Sequence, residues 1–307
     1  TGLGTVTLII GANLPDLDIV SYFWGPATAL WFRRGLTHGV LGIVVLPVLL
    51  TGAIVFSHRL MRHLGHHREL IVSPRWVLAL AFLSVATHPL LDFLNVYGVR
   101  WLMPFSAQWF YGDTLFIVDL WLWLILGFGV ATWKTGAGKG GTGNRGPSPR
   151  RARMALLWAT AYMAAMGGIA VTARTVVRDT PAALGVQPSR VMVSPEPLNP
   201  FKKWVVLEGA DGYTFGVLDL LSNLRFERLG VVYEKHPGTP AAVAASRTST
   251  AQLFNSWSRF PYYVTEDLGN SYLVHIGDAR YTLDAERSWA AVSVLIEKAE
   301  RATSGER

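Results

Sequence analysis

Residues 36–56 read LTHGVLGIVVLPVLLTGAIVF, and His38 is the only ionisable residue among them. About 20 mostly apolar residues are enough for a helix to cross the hydrocarbon core of a membrane. Stretches 76–98, 114–133 and 154–173 are similar, and residues 3–12 form a shorter apolar run that predicts part of a first helix. We therefore predict a mainly α polytopic membrane bundle of about four to five transmembrane helices. Aromatic residues flank the spans, as an interfacial belt requires: Trp31, Trp76, Trp101, Trp109, Tyr111, Trp133 and Trp158.

Composition limits the class of protein. Half of the 307 residues are hydrophobic and only 16% are charged, which indicates a membrane part joined to a soluble part. The absence of Cys excludes disulfides and thiolate ligands, so any metal must be held by His and carboxylate. The net charge of +7 arises from Lys and Arg in loops beside the apolar stretches. That distribution is typical of topology signals, so we expect no nucleic-acid partner.

The loops predict the orientation. Segments 57–75 and 134–153 are rich in Arg and Lys, and the second is also Gly-rich and resembles a flexible connection. By the positive-inside rule both are cytoplasmic. Segment 99–113 contains Arg100 as its only Lys or Arg, so we place it outside. The chain is therefore predicted to be a multi-pass membrane protein.

The sequence changes character near residue 186. Five β-like runs, at 190–193, 204–207, 213–218, 229–233 and 272–276, are separated by Gly, Pro and Asp turns, and helical stretches are predicted at 241–257 and 285–301. We predict a membrane-embedded domain at 1–180, with the loop 134–153 inside it, followed by a small soluble extracytoplasmic α+β domain at 186–307.

Acidic residues in the apolar first part of the chain are concentrated in short motifs. These are Pro15-Asp16-Leu17-Asp18, His88-Pro89-Leu90-Leu91-Asp92 and the pair Asp113 and Asp119. The predicted topology puts all of them on the external side, together with His38, so we predict one metal site there. The predicted metal ligands are Asp16, Asp18, His38, His88, Asp92, Asp113 and Asp119, and the first five are also the predicted catalytic residues.

Each motif also has a structural explanation. His88 and Asp92 are four residues apart on a helix, so they share a face and could simply hydrogen-bond each other. Asp-x-Asp is common in caps and turns, and Asp113 suits the start of a helix. Ionisable groups inside a span are costly and usually functional, which favours ligation.

Polar residues near these motifs are candidates for substrate binding. Arg33 and Arg34 are on the external side, against the positive-inside trend, and Arg binds phosphate in bidentate fashion; anchoring to lipid headgroups is the alternative. Asn95 and Tyr97 suit substrate-orienting or outer-shell roles. The tract His58, His63, His66 and His67 is in the basic cytoplasmic loop, and we interpret it as solvated surface.

These motifs carry a family resemblance. The runs Gly11-Ala-Asn-Leu-Pro-Asp-Leu-Asp18, Arg33-Arg-Gly-Leu-Thr-His-Gly39 and His88-Pro-Leu-Leu-Asp-Phe-Leu-Asn-Val-Tyr-Gly98, continuing to Asp119, resemble the bacterial membrane-bound metal-dependent hydrolases. That family is distantly similar to zinc-dependent phospholipases C, so the resemblance implies phosphoester hydrolysis. It also implies that the chain is a multi-pass protein of the bacterial cytoplasmic (inner) membrane. Its members usually open with an Asn-x-Thr-His type segment whose His would be a further ligand, and this chain begins downstream of it.

The leading hypothesis is therefore a membrane-bound phosphoesterase that acts on a membrane lipid or a lipid-linked phosphate. One to three Zn²⁺ ions, or Mn²⁺, would activate water. An ion- or proton-coupled transporter and a non-catalytic, metal-stabilised membrane scaffold are the alternatives. The sequence leaves the substrate and the oligomeric state open.

Overall fold

The computed structural model describes residues 2–65, 73–135, 149–179, 188–222, 225–235, 237–281 and 284–298. Tertiary contacts divide the chain into two compact units. The first combines Thr1–Tyr111 with Lys235–Arg307, and the second contains Gly112–Glu234. Most of the predicted basic loop 134–153 lies outside the described residues, as do His66, His67 and His236.

The first unit begins with helices. They are α1 (Gly2–Asn13), a 3₁₀ helix (Pro15–Trp24), α2 (Pro26–Phe32), α3 (Val40–His63) and α4 (Pro74–Phe93). Proline stands at the start of the 3₁₀ helix, α2 and α4, where its fixed φ suits the first turn and its missing N–H costs no hydrogen bond. Helices α3 and α4 are long and apolar enough to cross a membrane, and α1 with the 3₁₀ helix forms a pair bent by 47° that would make one further span.

Helices α1 and α4 approach each other closely through small residues. A Cβ atom added to Gly11 would lie 2.0 Å from Oγ and 3.1 Å from Cβ of Ser84, so a larger residue would force this crossing to adjust. Inside a membrane the hydrophobic effect does not drive helices together, and small residues allow the close backbone approach on which van der Waals packing depends. Leu50 and Ile54 of α3 pack with Val77 and Ala81 of α4 beside the same contact.

The same unit contains a module at residues 237–298, called here the C-terminal module. Its helices are α7 (Pro240–Ser246) and α8 (Ser249–Trp257), and they confirm the helical stretch predicted at 241–257. Three antiparallel strands follow, numbered by their order in the whole chain: β5 (Pro261–Asp267), β6 (Ser271–Asp278) and β7 (Ala291–Glu297). They form one sheet with β6 in the middle. Phe254, Trp257, Val274 and Ile276 form its core.

The helix predicted at 285–301 is wrong, because residues 291–297 form strand β7. Val292, Val294 and Ile296 pack against the module's core, whereas Ser293, Leu295 and Glu297 are exposed. This alternation has the period of two residues that a strand requires, and pairing with β6 satisfies the backbone. Strand β5 had no counterpart among the predicted strands.

The second unit joins two helices to a four-stranded antiparallel meander. Helices α5 (Leu120–Thr135) and α6 (Pro149–Asp179) precede strands β1 (Arg190–Pro195), β2 (Lys202–Glu208), β3 (Gly212–Asp219) and β4 (Arg225–Glu234). Ala173 and Val177 of α6 pack on Val193, Val205 and Leu218 of the sheet. The four strands confirm the β-like runs predicted between 190 and 233.

A helical N-terminal part followed by a β-rich α+β part is therefore confirmed. Three helices could cross a membrane by length and composition among the described residues, namely Val40–His63, Pro74–Phe93 and Pro149–Arg178. The predicted span 114–133 corresponds to the shorter apolar helix α5, which begins only at Leu120. The domain boundaries predicted from the sequence, 1–180 and 186–307, stay predictions.

Candidate metal centre

Three separate segments of the first unit supply the predicted ligands. Asp16 and Asp18 belong to the 3₁₀ helix, His38 lies in the turn that precedes α3, and His88 and Asp92 occupy the last turns of α4. The turn before α3 is tight, with the backbone N–H groups of His38 and Gly39 both donating to the carbonyl of Gly35. The imidazole of His38 is fully buried.

Asp16, His38 and His88 form a compact cluster, and Asp92 lies beside both histidines. Nε2 of His38 lies 3.3 Å from Oδ2 of Asp92 and 3.8 Å from Oδ1 of Asp16. Nε2 of His88 lies 3.5 Å from Oδ2 of Asp16 and 3.5 Å from Oδ2 of Asp92. Ligand atoms of Asp16, His38 and His88 all lie within 4.8 Å of one another.

These separations suit a tetrahedral metal ion. Zinc with bonds of about 2.0–2.1 Å places neighbouring donor atoms roughly 3.3–3.4 Å apart. Both Nε2 atoms are buried and make no hydrogen bond to any residue that the structure describes, which is costly unless something occupies the space between them. Two imidazoles and two carboxylates are also the ligand types that zinc and manganese accept, so these residues fit a divalent metal.

The other ring nitrogen of each histidine fixes its tautomer. Nδ1 of His88 lies 2.6 Å from the carbonyl oxygen of Ala12. Because a carbonyl can only accept, Nδ1 carries the proton and Nε2 of the neutral ring keeps its lone pair for a metal. Nδ1 of His38 faces Oγ1 of Thr37 at 3.0 Å and Oδ2 of Asp18 at 3.3 Å.

Asp18 therefore has a different position from that of a ligand. It is buried behind His38, on the Nδ1 side, and its Oδ2 also accepts a hydrogen bond of 2.7 Å from the backbone N–H of Arg34. A carboxylate behind a metal-binding histidine orients the ring and raises its basicity. Asp16 is 46% exposed at its side chain, so the cluster opens on the Asp16 side.

Arg34, predicted to bind substrate, is buried and engaged within the protein. Its Nη2 lies 2.9 Å from Oδ1 of Asp92, and its Nη1 donates to Oδ1 of Asn95 at 3.0 Å. The guanidinium lies over the ring of Tyr97, 4.4 Å from the centroid. Asn95 also accepts from the backbone N–H of Tyr97. These contacts put Arg34, Asn95 and Tyr97 around Asp92 as an outer shell.

Arg33 differs from its neighbour. Its Nε lies 3.7 Å from Oδ1 of Asp18 and has no hydrogen-bond partner among the described residues, and its side chain is 18% exposed. Arg33 is thus the more exposed of the two arginines, since the side chain of Arg34 is only 9% exposed and contacts Asp92 and Asn95.

Asp113 and Asp119 belong to the second unit, where both are buried and have partners of their own. Asp113 faces Nη2 of Arg174 at 3.5 Å. Asp119 accepts from the backbone N–H of Leu122 at 3.0 Å and from the hydroxyl of Tyr162 at 3.0 Å. Asp119, rather than Asp113, caps the helix that follows. Ligation by either aspartate stays a prediction.

Two contributors were absent from the predicted site. The carbonyl of Ala12 orients His88. Every residue has a backbone carbonyl, so the sequence could not indicate this contact. Arg100 is buried and donates to the carbonyls of Trp31 and Arg33, which holds the segment that carries Arg33 and Arg34. The sequence could have indicated Arg100, because it is the only Lys or Arg in segment 99–113.

Comparison with known proteins identifies one family. No curated protein and no solved structure matches the chain. The family model described as YdjM inner membrane protein matches residues 2–174, which is more than half of the chain and includes every segment of the candidate metal centre. The match supports the predicted bacterial inner membrane but gives no activity, so hydrolysis stays a prediction. The chain belongs to the YdjM inner membrane protein family.

Proposed function

We propose that this protein is a membrane-bound metal-dependent hydrolase that cleaves phosphoester bonds of a lipid or a lipid-linked substrate. The observation that carries the proposal is that two buried Nε2 atoms, from His38 and His88, face the carboxylates of Asp16 and Asp92 without making a hydrogen bond to any described residue. A purely structural cluster would pair each buried nitrogen with an acceptor at hydrogen-bond geometry.

The residues divide the chemistry between them. His38, His88, Asp16 and Asp92 would hold the metal, zinc or manganese, which when bound supplies Lewis acidity and lowers the pKa of water to about 7. Water attacks phosphorus, the bond to the leaving oxygen breaks, and that oxygen takes up a proton. Arg33 would hold the nonbridging oxygens of the phosphate, because its side chain is partly exposed, whereas Arg34 is buried against Asp92.

A lipid-borne substrate follows from the surroundings of Asp16. The 3₁₀ helix that carries Asp16 and Asp18 exposes large apolar side chains, including Leu17, Phe23 and Trp24. An exposed apolar surface beside an open acidic site suits a substrate whose phosphate lies at a bilayer surface. Our proposed topology has four to five spans, made of α3, α4, α6, the bent N-terminal pair and α5, with the site and the C-terminal module outside the cytoplasm.

Metal analysis of the detergent-purified protein tests the proposal. Wild type is expected to contain stoichiometric zinc or manganese and to hydrolyse a phosphodiester or phospholipid substrate. The Asp16→Ala, His88→Ala double variant should lose both. His63→Ala is the matched control, because His63 is exposed at the end of α3 and away from the cluster.

The outcomes separate the alternatives. Metal without turnover on any phosphoester would favour the scaffold. No specific metal in wild type, or full metal in the double variant, would contradict a hydrolase built on these residues and would favour the transporter.

A further inference from the structure

The C-terminal module contacts the segment that follows α4 through aromatic rings. Trp257 and Tyr281 of the module stack with their centroids 5.8 Å apart and their planes at 3°. The ring of Tyr97 lies 5.2 Å from Trp257 and 6.4 Å from Tyr281. Tyr97 therefore joins the module's aromatic cluster although it lies only four residues after the end of α4, the helix that carries Asp92.

Arg280 fixes this contact. Its side chain is fully buried, and it pairs with Asp278 through Nη2 at 2.8 Å. Its Nη1 donates to the carbonyl of Val96 at 3.0 Å, and its Nη2 donates to that of Trp257 at 3.1 Å. Burial alone would raise the pKa of Asp278, but the charge of Arg280 outweighs burial and holds that pKa below its usual range. The buried pair is thus ionised and bridges the two segments.

The opposite side of Tyr97 faces the metal centre. The guanidinium of Arg34 lies 4.4 Å from the ring centroid of Tyr97, and its Nη2 lies 2.9 Å from Asp92. The backbone N–H of Arg34 donates to Asp18, which stands behind His38. A continuous series of contacts therefore runs from Arg280, through Tyr97 and Arg34, to a proposed ligand and to the carboxylate behind another.

We propose that Arg280 is a positioning residue of the metal centre, through which the C-terminal module holds Tyr97 and Arg34 in the arrangement that orients Asp92. The inference rests on the proposed metal centre and requires no particular substrate. Arg280 lies beyond residues 2–174, so the part of the chain that matches the family would be supported by a part that the match does not include. A lysine could not replace it, because one ammonium cannot reach three acceptors with the geometry of a guanidinium fork.

Cobalt substitution tests the inference, because the ligand-field spectrum of Co²⁺ reports coordination geometry directly. Wild type, Arg280→Met, Arg280→Lys and the control Arg287→Met would be purified in detergent and titrated with Co²⁺ and Zn²⁺. Arg287 is an exposed arginine of the same module. Both Arg280 variants should bind metal roughly 10-fold more weakly, as loss of an outer-shell contact does, and should shift the cobalt bands. Wild-type spectra and affinities in both would overturn the inference.

A second pair of variants covers the case in which the Arg280 variants fail to fold. Tyr97→Leu removes the ring between the module and Arg34 and leaves the Arg280–Asp278 pair intact, whereas Tyr97→Phe keeps the ring. We expect the cobalt spectrum to change in Tyr97→Leu and to stay as in wild type in Tyr97→Phe. A wild-type cobalt spectrum in Tyr97→Leu would overturn this inference but leave the proposed function standing. A wild type that binds no stoichiometric metal would overturn the proposed function and this inference with it.

Discussion

At the scale of single residues, the two aspartates of the Asp16-Leu17-Asp18 motif have different surroundings. A 3₁₀ helix has three residues per turn, so positions two apart point in different directions. Asp16 faces the Nε2 atoms of the two histidines, whereas Asp18 is buried behind His38. An alternating motif in a sequence does not show this, because in an extended segment both side chains would lie on one side.

Replacement of Asp18 by Asn should weaken metal binding without abolishing the site. Asn keeps the size of the side chain but loses the charge that favours the His38 tautomer with a free Nε2. Outer-shell substitutions of this kind typically cost about 10–100-fold in metal affinity. Competition with a chelator would measure the loss, and full occupancy should return at saturating zinc.

Asp16→Asn is the matched comparison, because Asp16 is the proposed ligand. It should reduce occupancy even when metal is saturating. If Asp18→Asn stays empty under those conditions instead, Asp18 binds the metal directly, as the sequence alone predicts.

At the scale of elements, periodicity and length decided which predictions held. Long apolar stretches predicted α3, α4 and α6, and the β-like runs predicted β1 to β4 and β6. Strand β7 was predicted as a helix because its charged flanks and alanines suit a helix, while its two-residue alternation spans only seven residues. Tertiary pairing with β6 decided the outcome, and such pairing is invisible to local propensity.

Close packing of α1 against α4 holds together two of the elements on which the candidate metal centre depends. Gly11→Ala would place a Cβ atom 2.0 Å from Oγ and 3.1 Å from Cβ of Ser84, so Oγ must turn away and the helix crossing must loosen by a few tenths of an ångström. This shift would move the adjacent carbonyl of Ala12, which accepts from Nδ1 of His88 at 2.6 Å. We expect a lower thermal unfolding midpoint together with roughly 10-fold weaker zinc binding, the loss typical of a missing outer-shell contact.

The second substitution Ser84→Gly makes this a test of the helix contact itself. It removes the atoms that the new methyl group meets, so the Gly11→Ala, Ser84→Gly pair should recover metal affinity relative to Gly11→Ala. Zinc titration and thermal unfolding of the single and paired variants would measure this. A pair no better than the single variant would mean that Gly11 acts by some route other than its contact with α4.

At the scale of the whole molecule, the sequence predicted that residues from three distant segments would meet, and the structure brings Asp16, His38, His88 and Asp92 together within the first unit. This could be predicted because each motif lies at the end of an apolar stretch that the basic loops place on the external side of the membrane. The contribution of Arg280 could not be predicted in this way, because it depends on a tertiary contact with Val96 across most of the chain. A buried arginine in a soluble module has no sequence pattern of its own.

The distribution of basic loops predicts that the C-terminal module lies outside the cytoplasm. Because the chain has no Cys, single introduced cysteines can test this prediction. Single cysteines would be introduced at two exposed positions, Glu286 in the C-terminal module and His63 at the end of α3. A membrane-impermeant maleimide should label Glu286→Cys in right-side-out inner-membrane vesicles and His63→Cys only in inverted vesicles, because the basic residues near His63 retain that segment in the cytoplasm. The parent protein is the control for background labelling. The reverse pattern would place the C-terminal module inside the cell, and because the module packs in one unit with Tyr97, the metal centre and its substrate would then belong to the cytoplasmic face.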